Sequence, residues 1–168
     1  MPIPTSRRDF LRGSLRGGEF LRPPGARPAG FERACTGCGD CAAACPEAII
    51  QTDNRGAVRL DLALGACTFC GDCARACPTD ALSADRLGDW PWVATISAEC
   101  LSLNAVSCRA CEDACEPRAI RFRPALGGRA QPIVDDEGCT GCGGCISICP
   151  VGAVSLSHRA PAECEVTQ

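Results

Sequence analysis

Sixteen cysteines fall into four groups of four, and their spacing constrains the fold more than any other property of the chain. The groups are Cys35, Cys38, Cys41 and Cys45; Cys67, Cys70, Cys73 and Cys77; Cys100, Cys108, Cys111 and Cys115; and Cys139, Cys142, Cys145 and Cys149. Their first members are separated by 32, 33 and 39 residues. Groups one, two and four share the texture C-T-x-C-G-x-C, and Pro46, Pro78 and Pro150 follow their last cysteine. A fixed period of this size marks a repeated supersecondary unit. After each group comes a short apolar step, such as Ala48, Ile49 and Ile50 or Ala153 and Val154. Between groups one and two, residues 49–52 and 57–60 flank the turn signal Asn54-Arg55-Gly56 and read as a hairpin. Residues 120–123 and 132–135, on either side of Gly127-Gly128, read as its counterpart.

The run C-x2-C-x2-C-x3-C-P is that of bacterial-type [4Fe–4S] sites. Three closely spaced thiolates let one tight loop wrap a cluster. Glycine after the second cysteine permits the close backbone turn this needs. The fourth cysteine lies too far round to close the same site and ligates the other cluster of a pair. Applied here, the rule groups Cys35, Cys38 and Cys41 with Cys77, and Cys67, Cys70 and Cys73 with Cys45. It likewise groups Cys139, Cys142 and Cys145 with Cys115, and Cys100, Cys108 and Cys111 with Cys149. The spacers are alike in length, so a pairing of group two with group three stays open. The third group departs from the pattern. Seven residues separate Cys100 from Cys108, Glu112 is read as standing where the others have glycine, and Pro117 follows Cys115 by two positions. A longer loop can still deliver a thiolate, so three clusters are expected from the regular groups and a fourth from this one. Zinc-ribbon spacing does not look like this.

Composition supports a fold held by metal. Leu, Ile, Val and Phe make up about 19% of the chain, too few for a sizeable conventional core. The expected fold class is α+β: two tandem, small ferredoxin-like units with a cluster-centred core, in which cluster binding and folding are one event. The expected divisions are a basic segment and turn-rich linker over 1–33, a first unit over 34–88, a second over 89–157, and a tail over 158–168. Trp90 and Trp92 flank Pro91 between the halves and read as an aromatic plug. His158, the one histidine, reads as a solvated tail residue, and Cys164 as a free thiol.

No stretch approaches the roughly 18 apolar residues of a membrane span. The N-terminus has arginines but no apolar run behind them, so clustered cysteines are expected to work in a reducing cytoplasm rather than as secreted disulfides. All 17 basic residues are arginine, and the net charge is −3. Residues 1–33 are basic and the rest acidic, which does not suit nucleic acid but suits a protein partner. No phosphate loop, catalytic triad or paired carboxylate site is present, so an enzyme is not expected. Ser6-Arg7-Arg8-Asp9-Phe10-Leu11 reads as a twin-arginine export address without its apolar continuation. It is either a capped helix over residues 6–15 or a docking element.

The SRR start, the four cysteine groups, the irregular Cys100-x7-Cys108 loop and the Cys115-Glu116-Pro117 ending together carry a resemblance. The chain resembles the NapF-type ferredoxins of the periplasmic nitrate reductase system. The resemblance implies a cytoplasmic iron–sulfur protein that contacts the precursor of the nitrate reductase catalytic subunit prior to export. It implies a role in maturing that subunit, by cluster assembly or electron supply. The rival expectation is an electron-carrier subunit serving other redox proteins within a membrane-associated chain. Four clusters in a row favour the rival; the basic segment favours maturation.

Overall fold

The computed structural model describes residues 21–53 and 56–159. The SRR segment, the helix expected over residues 6–15, Asn54, Arg55 and Cys164 lie outside the described residues. Two halves repeat one plan. Each cysteine group supplies a one-turn helix, and short antiparallel strand pairs lie between the groups.

In the first half, α1 (Phe31–Ala34) and α2 (Asp40–Ala43) precede β1 (Ile50–Thr52) and β2 (Val58–Leu60), followed by α3 (Asp72–Arg75). In the second, β3 (Trp92–Ile96) precedes α4 (Ala110–Asp113), β4 (Ile120–Pro124), β5 (Ala130–Val134), α5 (Gly144–Ser147) and β6 (Val154–His158). Gly39, Gly71 and Gly143 cap their helices at φ between 79 and 86°, the left-handed turn that brings the third cysteine round. In the irregular group Arg109, not Glu112, occupies that place, at φ −135°. Glu112 instead lies in α4, where its carboxylate accepts from the Phe122 N–H at 3.4 Å.

The first expected hairpin forms as β1 against β2, with Ile50 opposite Leu60. The second forms with its return strand two residues earlier than expected. β5 begins at Ala130, and Pro132 sits within it opposite Phe122. A two-stranded sheet has only edge strands, so a residue without an N–H is accommodated there. The expected hairpins leave out one pairing: β3 runs antiparallel to β6 from Trp92–His158 to Ile96–Val154, closing the second half. Its counterpart in the first half shrinks to a single bridge between Ala26 and Leu82.

Two expectations about boundaries are corrected. Residues 21–33 are not a linker. Pro23 and Phe31 are buried, the Leu60 N–H donates to Leu21 O at 2.7 Å, and Ala26 pairs with Leu82. Nor does the second half end at residue 157. His158 completes β6 with its ring 4.1 Å from that of Trp92, and the Arg159 guanidinium donates to Cys139 O at 3.0 Å. His158 is therefore exposed but seated in a strand, not loose in a tail.

Arg22 ties the N-terminal strip to the hairpin. Its guanidinium meets Asp53 at 2.9 Å, Val58 O at 2.6 Å and Glu32 at 3.0 Å, and lies 4.9 Å from the centre of the Phe31 ring. The Asp53 carboxylate is fully buried and also accepts the Ala57 N–H. Arg22→Ala takes this guanidinium from a buried carboxylate, and breaking such pairs costs about 3–5 kcal/mol. A urea titration of the iron-loaded protein should show the unfolding free energy falling by that amount and the midpoint falling with it, with Asp53→Asn milder.

The apolar cores are small, as the composition demands. One gathers Phe31, Ile49, Val58, Leu60, Leu62 and Leu82; the other gathers Val93, Ile120, Phe122 and Val154 with small residues and cysteines. Among the described residues no helix is long and apolar enough to cross a membrane.

Candidate metal centres

The sixteen cysteines of the four groups converge on four hollows, and each hollow receives four. Cys35, Cys38, Cys41 and Cys77 line the first, against Phe31, Val58 and Leu82. Cys45, Cys67, Cys70 and Cys73 line the second. Cys115, Cys139, Cys142 and Cys145 line the third, beside Ile120. Cys100, Cys108, Cys111 and Cys149 line the fourth, beside Phe122. The geometry thus joins group one with group two and group three with group four, each lending its last cysteine to its partner. No disulfide joins any of them among the described residues.

The irregular group builds a hollow within the size range of the others. The four enclose about 300, 380, 330 and 330 Å³ of space, partly open to solvent, and the last of these is the irregular one. A 3₁₀ turn over Leu101–Asn104 takes up the extra loop residues. The Asn104 amide donates to Ala98 O and Cys100 O, both at 2.9 Å, and the buried Ser102 hydroxyl donates to Cys108 O. Sequence reasoning missed Ser102 and Asn104. Their signal was present: short polar residues inside an irregular loop hold it by side-chain to backbone bonds.

The walls are apolar, and burial shows in the thiols. Desolvation raises Cys41, Cys73 and Cys111 to about 11 and Cys145 to about 12, and neighbouring thiolates add to it. Desolvation raises Cys67 as well, despite a backbone hydrogen bond. Cys77 goes the other way. Burial pushes it up, but hydrogen bonds from the Thr79 hydroxyl and from the backbone of Thr79, Leu82 and Ala81 outweigh this. Backbone N–H groups also reach sulfur elsewhere, from Ala94 to Cys139 at 3.4 Å and from Ala153 to Cys149 at 3.3 Å. These are the contacts that orient and tune a sulfur ligand.

The hollows form a series. Cys73 is within electrostatic reach of Cys41, Cys67 of Cys142, and Cys145 of Cys111. The middle junction is built by hand-to-hand contacts between the halves. The Cys67 N–H donates to Cys142 O at 2.8 Å, and the Trp90 indole N–H donates to Gly141 O at 3.3 Å. Trp90 also meets Phe69 edge-on at 5.9 Å, so the aromatic plug joins group two to group four.

Thiol spacing bears on what the hollows fit. One tetrahedral zinc, with Zn–S near 2.3 Å, draws its sulfurs to within about 4 Å of one another. Among the described residues no three His, Cys, Asp or Glu side chains converge tightly enough to hold a single ion. Four thiols spread around an apolar hollow match a polynuclear cluster, whose irons stand at separate corners.

Comparison with known proteins agrees with this chemistry. The family described as 4Fe-4S dicluster domain matches residues 34–81 and 106–153. The second match begins after Cys100, the cysteine brought in by the long loop. The chain is 38% identical over 160 residues to ferredoxin-type protein NapF of Escherichia coli (strain K12), covering 94% of this chain and 98% of that one. It is 38% identical over 163 residues to ferredoxin-type protein NapF of Haemophilus influenzae, covering 90% and 93%. A shorter likeness, 36% identity over 61 residues, reaches one component of the ion-translocating oxidoreductase complex of Methanosarcina acetivorans and covers 36% and 21%.

Proposed function

Since the chain belongs to the NapF ferredoxin-type proteins and carries tandem 4Fe-4S dicluster domains, we propose that each of its four hollows holds one [4Fe–4S] cluster. The ligand sets are Cys35, Cys38, Cys41 and Cys77; Cys67, Cys70, Cys73 and Cys45; Cys139, Cys142, Cys145 and Cys115; and Cys100, Cys108, Cys111 and Cys149. The observation that carries this reading is the delivery of four thiols, no more and no fewer, to each hollow. The bound clusters supply one-electron redox chemistry. The protein's part is to supply thiolates, exclude water with apolar walls, and aim N–H groups at sulfur. The protein is an electron carrier rather than an enzyme.

The finer reading is that it acts in the cytoplasm on the precursor of the periplasmic nitrate reductase catalytic subunit and assists its maturation prior to export. Its support is the NapF kinship and the basic, SRR-bearing N-terminal segment. Anaerobic co-purification from native cells tests it. The precursor, with its signal still attached, should come down with the protein; recovery of membrane electron-transfer subunits alone would overturn it. The serial hollows and the short likeness to a component of an ion-translocating complex favour the second reading, a relay within a membrane-associated chain.

Cluster loading should be strongly coupled to protons. Thiols held at about 11 to 12 are protonated at neutral pH, whereas iron takes the thiolate. Each hollow holds one such raised thiol, so loading releases protons there, and protons compete with iron as pH falls. Anaerobic reconstitution in weak buffer should acidify the solution, and loading should increase as pH rises from neutral. In the cluster-free fold the sign is opposite. The raised thiols stabilise it fully below their unfolded value of 9.0, and that stability is lost as pH rises through about 11.

A further inference from the structure

The arginines of this chain are not evenly neutralised. Arg22, Arg27, Arg59, Arg75, Arg86 and Arg109 all sit in ion pairs. Among the described residues Arg33, Arg118, Arg121, Arg123, Arg129 and Arg159 have none, all of them exposed, and three of these six, Arg121, Arg123 and Arg129, fall on one hairpin. The register of β4 against β5 puts Arg121 opposite Ile133 and Arg123 opposite Gln131, and the Ala125 N–H bonds to Arg129 O one step further on. All three arginines therefore share the outward face of one hairpin. Leu126, at the tip between them, is 94% exposed. The opposite face carries Ile120 and Phe122, which wall the third and fourth hollows. The first half offers a comparison. Its hairpin is shorter, and the one arginine described on it, Arg59, is paired with Asp61 at 3.2 Å.

We propose that the outward face of the β4–β5 hairpin is a docking surface for an acidic protein. Three unpaired guanidiniums on a chain of net charge −3 are a local cationic patch against an acidic background. Planar guanidiniums suit carboxylates, which they grip two bonds at a time. The bare leucine at the tip adds an apolar anchor, which favours a protein surface over a nucleic-acid backbone. A partner laid there lies one strand layer from two of the hollows. The surface rests on the electron-carrier reading for its use, but its binding chemistry stands apart from the partner's name.

The test uses the iron-loaded protein and three probes: a short fluorescent poly-glutamate peptide, a labelled DNA duplex, and vesicles containing phosphatidylserine. Poly-glutamate should bind in a salt-sensitive way, and Arg121→Gln/Arg123→Gln/Arg129→Gln should weaken it by about tenfold with iron content unchanged. The chain has no lysine. Arg123→Lys therefore installs a lone side-chain amine, which a carbodiimide should join to a glutamate of the bound peptide, more efficiently than Arg33→Lys. Equal peptide affinity in the triple variant would overturn the proposal, as would tighter binding of DNA or vesicles through the same arginines. Failure of the nitrate reductase precursor to co-purify would leave the surface standing. Failure of the peptide arm would leave the cluster reading standing.

Discussion

Cys77→Ser should cost the protein about four of some sixteen irons, at four irons per cluster, and the loss should appear at a distance in sequence. Cys77 belongs to the second cysteine group, yet its sulfur faces the hollow lined by Cys35, Cys38 and Cys41. Its loss should free those three thiols, while Cys67, Cys70 and Cys73 keep Cys45 as their fourth partner. Alkylation under anaerobic conditions, followed by peptide mapping, distinguishes the outcomes. Label on Cys35, Cys38 and Cys41 is the expected result. Label on Cys67, Cys70 and Cys73 would mean that each group closes its own site and would refute the crossed ligand sets. The position is sensitive for a second reason. Hydrogen bonds from Thr79, Leu82 and Ala81 hold the Cys77 thiol below the ordinary value, against the effect of burial. A serine hydroxyl there ionises too weakly to take over as an iron ligand. The matching variant in the second half, Cys149→Ser, should release Cys100, Cys108 and Cys111 by the same logic, since these share its hollow.

The cysteine spacing was the legible part of the site, because a cluster has fixed dimensions and a loop that wraps it has few solutions. The spacing called for a fourth cysteine from another group but left open which groups pair; the hollows bring group one to group two and group three to group four. The helices of the described residues were legible only as turns before a cysteine, since none of them is longer than about one turn and no amphipathic period can develop in four residues. Two features resisted reading. Residues 21–33 carry Pro23, Pro24, Gly25, Pro28 and Gly30, a composition that reads as linker. Yet Pro23 and Phe31 are buried and Arg22 meets a buried carboxylate 31 residues away. Turn-rich composition specifies how a chain bends, not whether it packs. The β3–β6 pair resisted for another reason. Its partners are about 60 residues apart, from Trp92–His158 to Ile96–Val154, and nothing local announces so distant a register. His158 was misplaced for that reason alone.

Gly141→Ala should be far more damaging than Gly39→Ala, although both add one methyl group beside a cysteine of the four groups. Both glycines lie in the left-handed region, at φ 68 and 86°. The conformational cost, about 1 kcal/mol or somewhat more, is therefore shared. What the methyl meets is not shared. At Gly39 nothing lies within 4 Å, so only the backbone cost remains. At Gly141 the new carbon would stand 2.3 Å from Trp92 O and 2.6 Å from the Trp90 indole nitrogen. The first of these is backbone, held in β3 by its pairing with β6, so no rotamer change can relieve the clash. Either β3 or the loop bearing Cys139 and Cys142 must move. If the loop moves, the Trp90–Gly141 hydrogen bond and the adjoining Cys67–Cys142 bond go with it, and those bonds join the two halves. Overpacking of this kind costs about 1–3 kcal/mol in addition to the strain, a large share of a small domain's stability. Gly141→Ala should therefore lose about four irons, those of the third hollow, and a protease should gain access between the halves. Gly39→Ala should keep its full complement of iron and lower the urea midpoint only slightly. Equal iron content in the two variants would show that the loop carrying Cys142 is not pinned against β3, and the serial arrangement of the four hollows would lose its middle link.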